Sequence, residues 1–233
     1  MRGQVLEMDE IALRARGIQK NFISGDSELQ VLRAVDLQLS RGEMLAITGA
    51  SGVGKSTLLH ILGTLDRPSA GQLEIEAVDV LQLRDDELAD FRSRNIGFVF
   101  QFHNLLPEFT ALENVMLPAM IAVEKGLNVR ERAENLLFQV GLEGRLHHRP
   151  GELSGGECQR VAVARALIRN PLIVLADEPS GNLDTDSSQT LHAMIRELAR
   201  AERKTFVVMT HDNNLANALD RTGYIENGTL HLN

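Results

Sequence analysis

The chain of 233 residues has one cysteine, one tyrosine, no tryptophan and no long apolar run. A single cysteine, Cys158, excludes an internal disulfide and is consistent with a reducing compartment, so we expect it to be a small packing residue. Apolar runs such as 172–176 have the length of a strand, far below the roughly 18 residues that a membrane-spanning helix needs. Residues 1–10 are rich in charge and have no apolar core, which argues against a secretory signal. The sequence therefore predicts a protein of the cytosol that does not itself cross a bilayer.

Basic residues are also scarce relative to acidic ones. The chain has 24 lysines and arginines against 32 aspartates and glutamates, and its formal net charge is −8. Proteins that bind nucleic acid usually display a clustered basic face, and no such cluster stands out here. The sequence therefore argues against nucleic acid as the main partner.

Glycine, in contrast, recurs at positions 49, 52 and 54 in a short segment that reads GASGVGKST, the phosphate loop (residues 49–57). It contains the pattern G-x-x-x-x-G-K-[ST], in which backbone N–H groups and a helix N-terminus surround a polyphosphate. Lys55 is predicted to reach the β- and γ-phosphates, and the Ser56 hydroxyl to bind the Mg²⁺ that bridges them. A chance glycine-rich turn is the alternative, but an apolar strand precedes the loop and an apolar helix follows it, as the motif requires. The predicted ATP-binding residues are Gly49, Ala50, Ser51, Gly52, Val53, Gly54, Lys55, Ser56 and Thr57.

Apolar periodicity predicts the arrangement of the rest of the chain. Short runs at 11–15 and 31–39 predict antiparallel strands, and 72–78 and 96–100 predict further strands. Residues 85–94 and 111–140 have helical patterns, and strands at 172–176 and 205–209 alternate with helices at 186–200 and 213–219. A hairpin is predicted at Asn227–Gly228. This alternation predicts an α/β fold with a mainly parallel sheet covered by helices on both faces.

Two adjacent carboxylates, Asp177 and Glu178, end the apolar strand that starts near residue 172. In an enzyme with a phosphate loop, the first would hold Mg²⁺ through water and the second would orient or deprotonate the attacking water. A solvated turn before Pro179 is the alternative.

A second glycine-containing helix start lies at Leu153, Ser154, Gly155, Gly156 and Glu157, the signature segment (residues 153–157). Ser154 with Glu157 fits a capping box, and the same residues fit a second anion site. If both helix starts bind one nucleotide, a head-to-tail dimer would use the phosphate loop of one subunit and the signature segment of the other.

His211 and Gln101 each follow a predicted strand, where ligand-facing residues emerge from an open parallel sheet. A structural role is the alternative for each of them.

In this order, GASGVGKST, Gln101, LSGGE, VLADEP, GNLD and His211 resemble the nucleotide-binding subunits of ATP-binding cassette transporters. The resemblance implies a single P-loop NTPase domain over 1–233. Its RecA-like core with an antiparallel β region would take 1–100 and 159–233, and an inserted helical subdomain with the signature would take 101–158.

The resemblance also assigns roles to residues. It implies that Phe22 stacks on adenine, that Gln101 senses the γ-phosphate and metal, that His211 contacts the γ-phosphate and that Asp184 belongs to a loop at the dimer interface. A core aromatic is the alternative for Phe22.

Glu157 and Cys158 depart from the usual signature, and Ser180 stands where threonine is usual.

Within the family, QFHNLLPEFTALENV, HRPGELSGGE and DEPSGNLD look like the ATPase of lipoprotein-releasing complexes. That similarity implies ATP and Mg²⁺, a homodimer beneath two integral membrane subunits, and a peripheral position on the cytoplasmic face of the bacterial inner membrane. The ATPases of MacB-type exporters and FtsE-type cell-division complexes share much of the pattern. A soluble cassette ATPase is a further alternative, disfavoured because the segment between Gln101 and Ser154 is too short for a long coiled coil.

Overall fold

The protein is described by a computed structural model covering residues 11–25, 27–122 and 128–233. Residues 1–10, where the sequence predicts no secretory signal, lie outside the described residues. No helix within these described ranges is both long enough and apolar enough to span a membrane.

The secondary structure alternates strands and helices along most of the chain. The strands are β1 (Ile11–Ser24), β2 (Ser27–Ser40), β3 (Met44–Thr48), β4 (Ala70–Ile75), β5 (Val78–Asp79), β6 (Ile96–Val99), β7 (Ile173–Asp177), β8 (Thr205–Met209), β9 (Arg221–Glu226) and β10 (Thr229–Leu232). The helices are α1 (Lys55–Leu62), α2 (Asp85–Asn95), α3 (Ala111–Ile121), α4 (Val129–Gln139), α5 (Gly155–Leu167), α6 (Thr185–Glu202) and α7 (Asn213–Asn217). Short 3₁₀ helices cover Val80–Gln82, Glu143–Arg145 and Pro150–Glu152.

The chain divides into two compact units. The first contains Met1–Arg92 and Thr205–Asn233, and the second contains Ser93–Lys204. The predicted division into a core and a helical subdomain at residues 101–158 stays a prediction.

An antiparallel sheet in the order β2-β1-β4-β5 forms part of the first unit, which confirms the antiparallel prediction for the N-terminal region. Its inner face buries alternate apolar residues such as Leu13, Ala15 and Leu37. The predicted strand 72–78 is wrong in one respect, because Glu76 and Ala77 have φ angles of 53° and 59° and turn the chain between β4 and β5. A two-residue turn with positive φ at both positions usually contains glycine or asparagine, so this sequence has no recognisable turn signal there.

The second sheet of the first unit contains β10, β9, β3 and β8 in that order. Strand β3 is parallel to both β8 and β9, with Leu45 opposite Val207 and Arg221. Strands β9 and β10 form the predicted antiparallel hairpin, whose turn residues Asn227 and Gly228 both have positive φ. All five residues of β8 are buried, as expected for a parallel strand that is covered on both faces.

The second unit contains the parallel strands β6 and β7 and the helices α3 to α6. The helical pattern over 111–140 corresponds to α3 and α4, and residues 123–127 between them lie outside the described residues. Thr110 and Glu113 form a capping box that starts α3. Helix α5 packs against α3, α4, α6 and β6 and buries Cys158, as predicted for a small packing residue. Met120, which belongs to the predicted apolar pattern, is instead 57% exposed.

Candidate nucleotide site

The phosphate loop joins the end of β3 to the start of α1. Gly54, with φ 109°, is the N-cap residue. Because it is a glycine, it has no side chain that could cap the first turn. That turn also contains no acidic residue, so the positive end of the helix dipole is uncompensated. A backbone N–H cluster without a competing carboxylate is a favourable anion site.

Lys55 folds back over this loop. Its Nζ donates hydrogen bonds to the carbonyl oxygens of Gly49 at 2.8 Å and Ala50 at 3.1 Å, and the residue is buried. The ammonium group is therefore held against the loop whose backbone would surround a phosphate. Ser56, the next residue, is exposed.

His211 lies at the same sheet edge as the phosphate loop. Strands β3 and β8 are parallel with Ile47 opposite Met209, so both the loop and His211 follow the carboxyl ends of neighbouring strands. Thr210 before it is buried and donates its N–H to the Ile47 carbonyl at 3.0 Å, whereas His211 itself is exposed. The structure thus brings these two predicted elements to one edge of the first unit.

Phe22 lies on β1 in the same unit. It is 42% exposed, which excludes a fully buried core aromatic, and Lys20 Nζ lies 5.1 Å from its ring centroid. A half-exposed ring on a sheet surface is available for stacking.

The predicted carboxylates lie in the second unit at the end of β7. Asp177 Oδ1 is buried, and no side chain or backbone group in the described part of the chain donates a hydrogen bond to it. A buried carboxylate oxygen without a donor is costly unless a cation or an ordered water satisfies it. The donor type and the unsatisfied oxygen therefore fit a hydrated Mg²⁺.

Glu178 has an unusual backbone. Its φ is 44°, a left-handed conformation that residues with a side chain adopt rarely. The Gly181 N–H donates to the Glu178 carbonyl at 3.0 Å, and the Leu183 N–H donates to the Ser180 carbonyl at the same distance. These bonds close a compact turn, the hydrolysis loop (residues 178–184).

Gln101 contacts this loop. Its Nε2 donates to Asn182 Oδ1 at 3.3 Å, and Asn182 Nδ2 donates to the Gln101 carbonyl at 3.2 Å. Val99 of β6 is opposite Ala176 of β7, so Gln101 and the two carboxylates emerge at one edge of this strand pair. The second unit therefore brings Gln101, Asp177 and Glu178 to one strand edge, and their predicted roles stay predictions.

The signature segment begins α5 with its predicted capping box. Glu157 N–H donates to Ser154 Oγ at 3.2 Å, and Ser154 N–H donates to Glu157 Oε2 at 2.7 Å. Arg145 Nε donates to the other carboxylate oxygen at 3.1 Å. The Ser154 backbone hydrogen bond, with a smaller contribution from Arg145, lowers the pKa of Glu157.

The local helix-capping role is therefore confirmed, and it leaves the glycine-rich face of the segment free. Ser154 and Gly155 are exposed. Cys158 is buried, which raises the pKa of its thiol. Neither departure from the usual signature disrupts the start of the helix.

Asp184 ends the hydrolysis loop and caps α6. Its Oδ1 accepts a hydrogen bond from the Ser187 N–H at 3.0 Å, which lowers the pKa of the exposed carboxylate. The residue has a clear helix-capping role in addition to its predicted position at a dimer interface.

Two contacts were not predicted from the sequence. Asn182 pairs with Gln101, and the buried His192 on α6 contacts Ser180. The asparagine lies inside the recognised GNLD motif, so its position was a usable signal. His192 is an isolated histidine in a helix, and no sequence pattern indicates its contact.

Comparisons with known proteins identify the family of the chain. The sequence profile of the ABC transporter family matches residues 32–181. The lipoprotein-releasing system ATP-binding protein LolD of Idiomarina loihiensis is 49% identical over 224 residues, covering 96% of this chain and 98% of that protein. LolD of Bacteroides thetaiotaomicron is 52% identical over 218 residues, covering 94% of this chain and 98% of that protein.

Solved structures with the same fold include dimers. The dimeric structure of MJ0796, a bacterial ABC transporter cassette, has a TM-score of 0.86 and 40% identity, covering 94% of this chain and 96% of that chain. A dimeric post-hydrolysis state of MJ0796 bound to ADP and Pi has a TM-score of 0.86 and 39% identity, with the same coverage. The chain therefore belongs to the ABC transporter family.

Proposed function

We propose that this chain is the ATP-hydrolysing subunit of a bacterial transporter that releases lipoproteins from the inner membrane toward a periplasmic carrier. The observation that carries the proposal is about half identity to relatives named LolD over nearly the full length of both proteins. The nucleotide-site residues expected of an active ATPase are all present, including Lys55, Asp177 and Glu178.

The first unit supplies the groups that bind ATP. The phosphate-loop N–H groups and Lys55 hold the phosphates, Phe22 stacks on the adenine ring, and His211 donates a hydrogen bond to the γ-phosphate. The Lys55 ammonium group binds a charged phosphate oxygen more strongly than the neutral carbonyl oxygens it contacts here, because both donor and acceptor are then ionised. Binding of ATP therefore favours release of Lys55 from the loop carbonyls.

In the first unit, Ser56 is the proposed Mg²⁺ ligand. The second unit supplies the groups for hydrolysis and two further proposed metal ligands, Gln101 and, through water, Asp177. The unsatisfied Asp177 oxygen supports the assignment of Asp177. When bound, Mg²⁺ neutralises charge that develops on the phosphate oxygens. Glu178 accepts a proton from the attacking water, and Gln101 orients groups around the γ-phosphate.

The signature segment acts on the ATP of a second subunit. Residues Ser154 and Gly155 are exposed at the start of α5, so the helix N-terminus is open to a ligand from outside the chain. Leu153, Gly156 and Glu157 complete the segment, and Asp184 contributes to the loop that crosses the interface. A head-to-tail homodimer then contains two equivalent ATP sites, which the dimeric MJ0796 structures support by analogy.

In this proposal the chain associates with the membrane only through its partner subunits. We propose two integral membrane subunits of the LolC and LolE type and a peripheral position on the cytoplasmic face of the inner membrane. Phe102, in the segment after Gln101, is 70% exposed, and Ile121 in α3 is 73% exposed. This segment and the helices around α3 would transmit closure of the dimer to the membrane subunits.

Glu178→Gln in the chain tests this proposal. Loss of a general base lowers turnover by about 10² to 10⁴ while ATP binding persists. The variant is purified from detergent-solubilised native membranes with ATP present. The matched control is Glu197→Gln, which makes the same change at an exposed carboxylate on α6.

We expect Glu178→Gln to hydrolyse almost no ATP and to co-purify with two lipoprotein-release membrane subunits, and Glu197→Gln to hydrolyse ATP normally. Turnover of Glu178→Gln near that of the control would remove Glu178 from the mechanism. Co-purification with a MacB-type or FtsE-type membrane protein would retain the ATPase and contradict lipoprotein release.

A further inference from the structure

One buried polar contact connects the hydrolysis loop to a neighbouring helix. His192 Nε2 and Ser180 Oγ lie 2.7 Å apart, a hydrogen bond whichever of the two groups donates. His192 is 6% exposed and Ser180 is 9% exposed. A buried hydrogen bond of this length fixes both partners, because losing either one leaves a buried polar atom unsatisfied.

Ser180 lies where such a contact affects the hydrolysis loop most directly. It follows Glu178 by two residues, and its own carbonyl accepts the Leu183 N–H that closes the loop. The left-handed backbone of Glu178 is unfavourable for a residue with a Cβ and persists only where surrounding contacts hold it. The backbone bonds of the loop and the Ser180 side chain are such contacts.

His192 lies on a rigid element. Helix α6 is capped by Asp184 at its start, and Leu191 and Ile195 beside His192 are buried. A hydrogen bond from this helix can therefore hold Ser180 at a fixed distance from α6, in addition to the turn bonds of the loop and its contact with Gln101.

We propose that His192 is a positioning residue for ATP hydrolysis, which holds the hydrolysis loop through Ser180 and so fixes the backbone that carries Glu178. The inference rests on the proposed role of Glu178. His192 itself touches neither nucleotide nor water in this proposal. Small displacements of a reacting group reduce the rate more than they reduce substrate affinity. Loss of the His192 contact should therefore lower kcat rather than the affinity for ATP.

The test compares four variants of the full chain: His192→Phe, His192→Gln, Ser180→Ala and the double variant Ser180→Ala with His192→Phe. Phenylalanine keeps an aromatic ring but cannot form the hydrogen bond, whereas the glutamine amide can reach the position of Nε2. Steady-state ATP hydrolysis gives kcat and KM, and nucleotide binding is measured separately by thermal shift. Leu198→Ala is the matched control, because Leu198 is buried on α6 but lies away from Ser180 in sequence.

We expect His192→Phe and Ser180→Ala each to lower kcat by about tenfold, with ATP affinity unchanged. The double variant should be no slower than either single variant, and His192→Gln should recover most of the rate. Leu198→Ala should lower the melting temperature without this loss of kcat.

Equal kcat for His192→Phe and the wild-type chain would overturn the inference and leave the proposed function intact. Additive losses in the double variant, or a similar loss of kcat in Leu198→Ala, would also overturn it, since both indicate a general packing effect. Absence of ATP hydrolysis in the wild-type chain would instead overturn the proposed function itself.

Discussion

Lys55 illustrates how one side chain can stabilise the loop and also bind the ligand. Its ammonium group is bonded to the carbonyl oxygens of Gly49 and Ala50, so the buried charge is partly satisfied by the protein. A phosphate offers the same donor a charged acceptor, which makes a shorter and stronger hydrogen bond. The residue therefore favours the nucleotide-bound state over the free state.

Lys55→Ala is expected to abolish most ATP-dependent stabilisation. A ligand at about 100 times its Kd stabilises a folded protein by about 2.7 kcal/mol, which appears as a rise in melting temperature. Thermal unfolding with and without MgATP measures this rise. Arg130→Ala, which removes an exposed cation paired with Glu134, should retain it. If MgATP raised the melting temperature of Lys55→Ala as much as that of the wild-type chain, the assignment of the phosphate loop would be contradicted.

Single residues of the site differ in how far the sequence alone can predict them. The phosphate loop is a contiguous motif, so its chemistry is visible without a fold. Gln101 and Asn182 are 81 residues apart in the chain, and their mutual hydrogen bonds depend on the pairing of β6 with β7. The contact between Ser180 and His192 depends on the rotation of α6 about its axis, which motif spacing does not specify.

The start of α1 depends on a glycine that no other residue replaces easily. Gly54 has φ 109°, and a Cβ there would lie 3.0 Å from Val31 Cγ1 and 3.1 Å from Leu32 Cδ2. Both the backbone angle and the close packing therefore disfavour a side chain.

Gly54→Ala is expected to lower the free energy of unfolding by about 1 to 3 kcal/mol, because it combines backbone strain with a close contact. Chemical denaturation measures the change. Gly144→Ala is the matched control, since a Cβ at Gly144 meets no atom within 4 Å among the described residues beyond its chain neighbours. Equal stability of the two variants would show that Gly54 tolerates a side chain and that the described loop geometry is wrong.

The stability contributed by the start of α5 should depend on pH through the Glu157 carboxylate. Its pKa is lowered from the ordinary value of 4.5, so the folded state binds the proton less readily than the unfolded state does. The stabilisation from the carboxylate is therefore complete above pH 4.5 and is lost as the pH falls through the lower folded-state pKa.

Glu157→Gln should remove this pH dependence, because glutamine does not titrate. We expect the wild-type chain to exceed Glu157→Gln in stability by less than about 1 kcal/mol at neutral pH, since Arg145 is partly exposed. The difference should decrease as the pH falls below 4.5. Denaturation curves of both proteins from pH 7 to pH 3 measure it, and a difference that grows on acidification would contradict this account of Glu157.

Elements with regular apolar periodicity could be predicted well, and elements bounded by unusual turns could not. Strand β8 has the predicted bounds of 205–209, because it is a short buried run between polar residues. Strands β4 and β5 were predicted as one strand, because Glu76 and Ala77 form a positive-φ turn without glycine or asparagine. Strand β1 extends to Ser24, beyond the predicted 11–15, because its antiparallel pairing with β2 includes polar residues such as Asn21.

The proposed head-to-tail dimer requires residues from two chains in each ATP site. Gly155 begins the signature helix, and among the residues that the structure describes a Cβ there would meet the Leu183 side chain, at 3.5 Å. A larger residue at this position can therefore be accommodated by the fold while it blocks the approach of a second subunit's nucleotide.

Gly155→Glu, introduced together with Glu178→Gln, should bind ATP but remain monomeric. Glu178→Gln alone should form a dimer when MgATP is added, because ATP stays unhydrolysed between the subunits. Light scattering coupled to size-exclusion chromatography measures the mass of both proteins. An ATP-dependent dimer of the variant with Gly155→Glu would contradict a role for the signature segment at the interface.

The decisive measurement for the proposed function is ATP-dependent release of a lipoprotein from a membrane. The chain and its co-purifying membrane subunits are reconstituted into lipid vesicles that contain a lipoprotein, and a soluble lipoprotein carrier is added outside. We expect MgATP to drive transfer of lipoprotein from the vesicles to the carrier with the wild-type chain, and Glu178→Gln to transfer almost none. Retention of the lipoprotein in the vesicles while the wild-type complex hydrolyses ATP would contradict the proposed function.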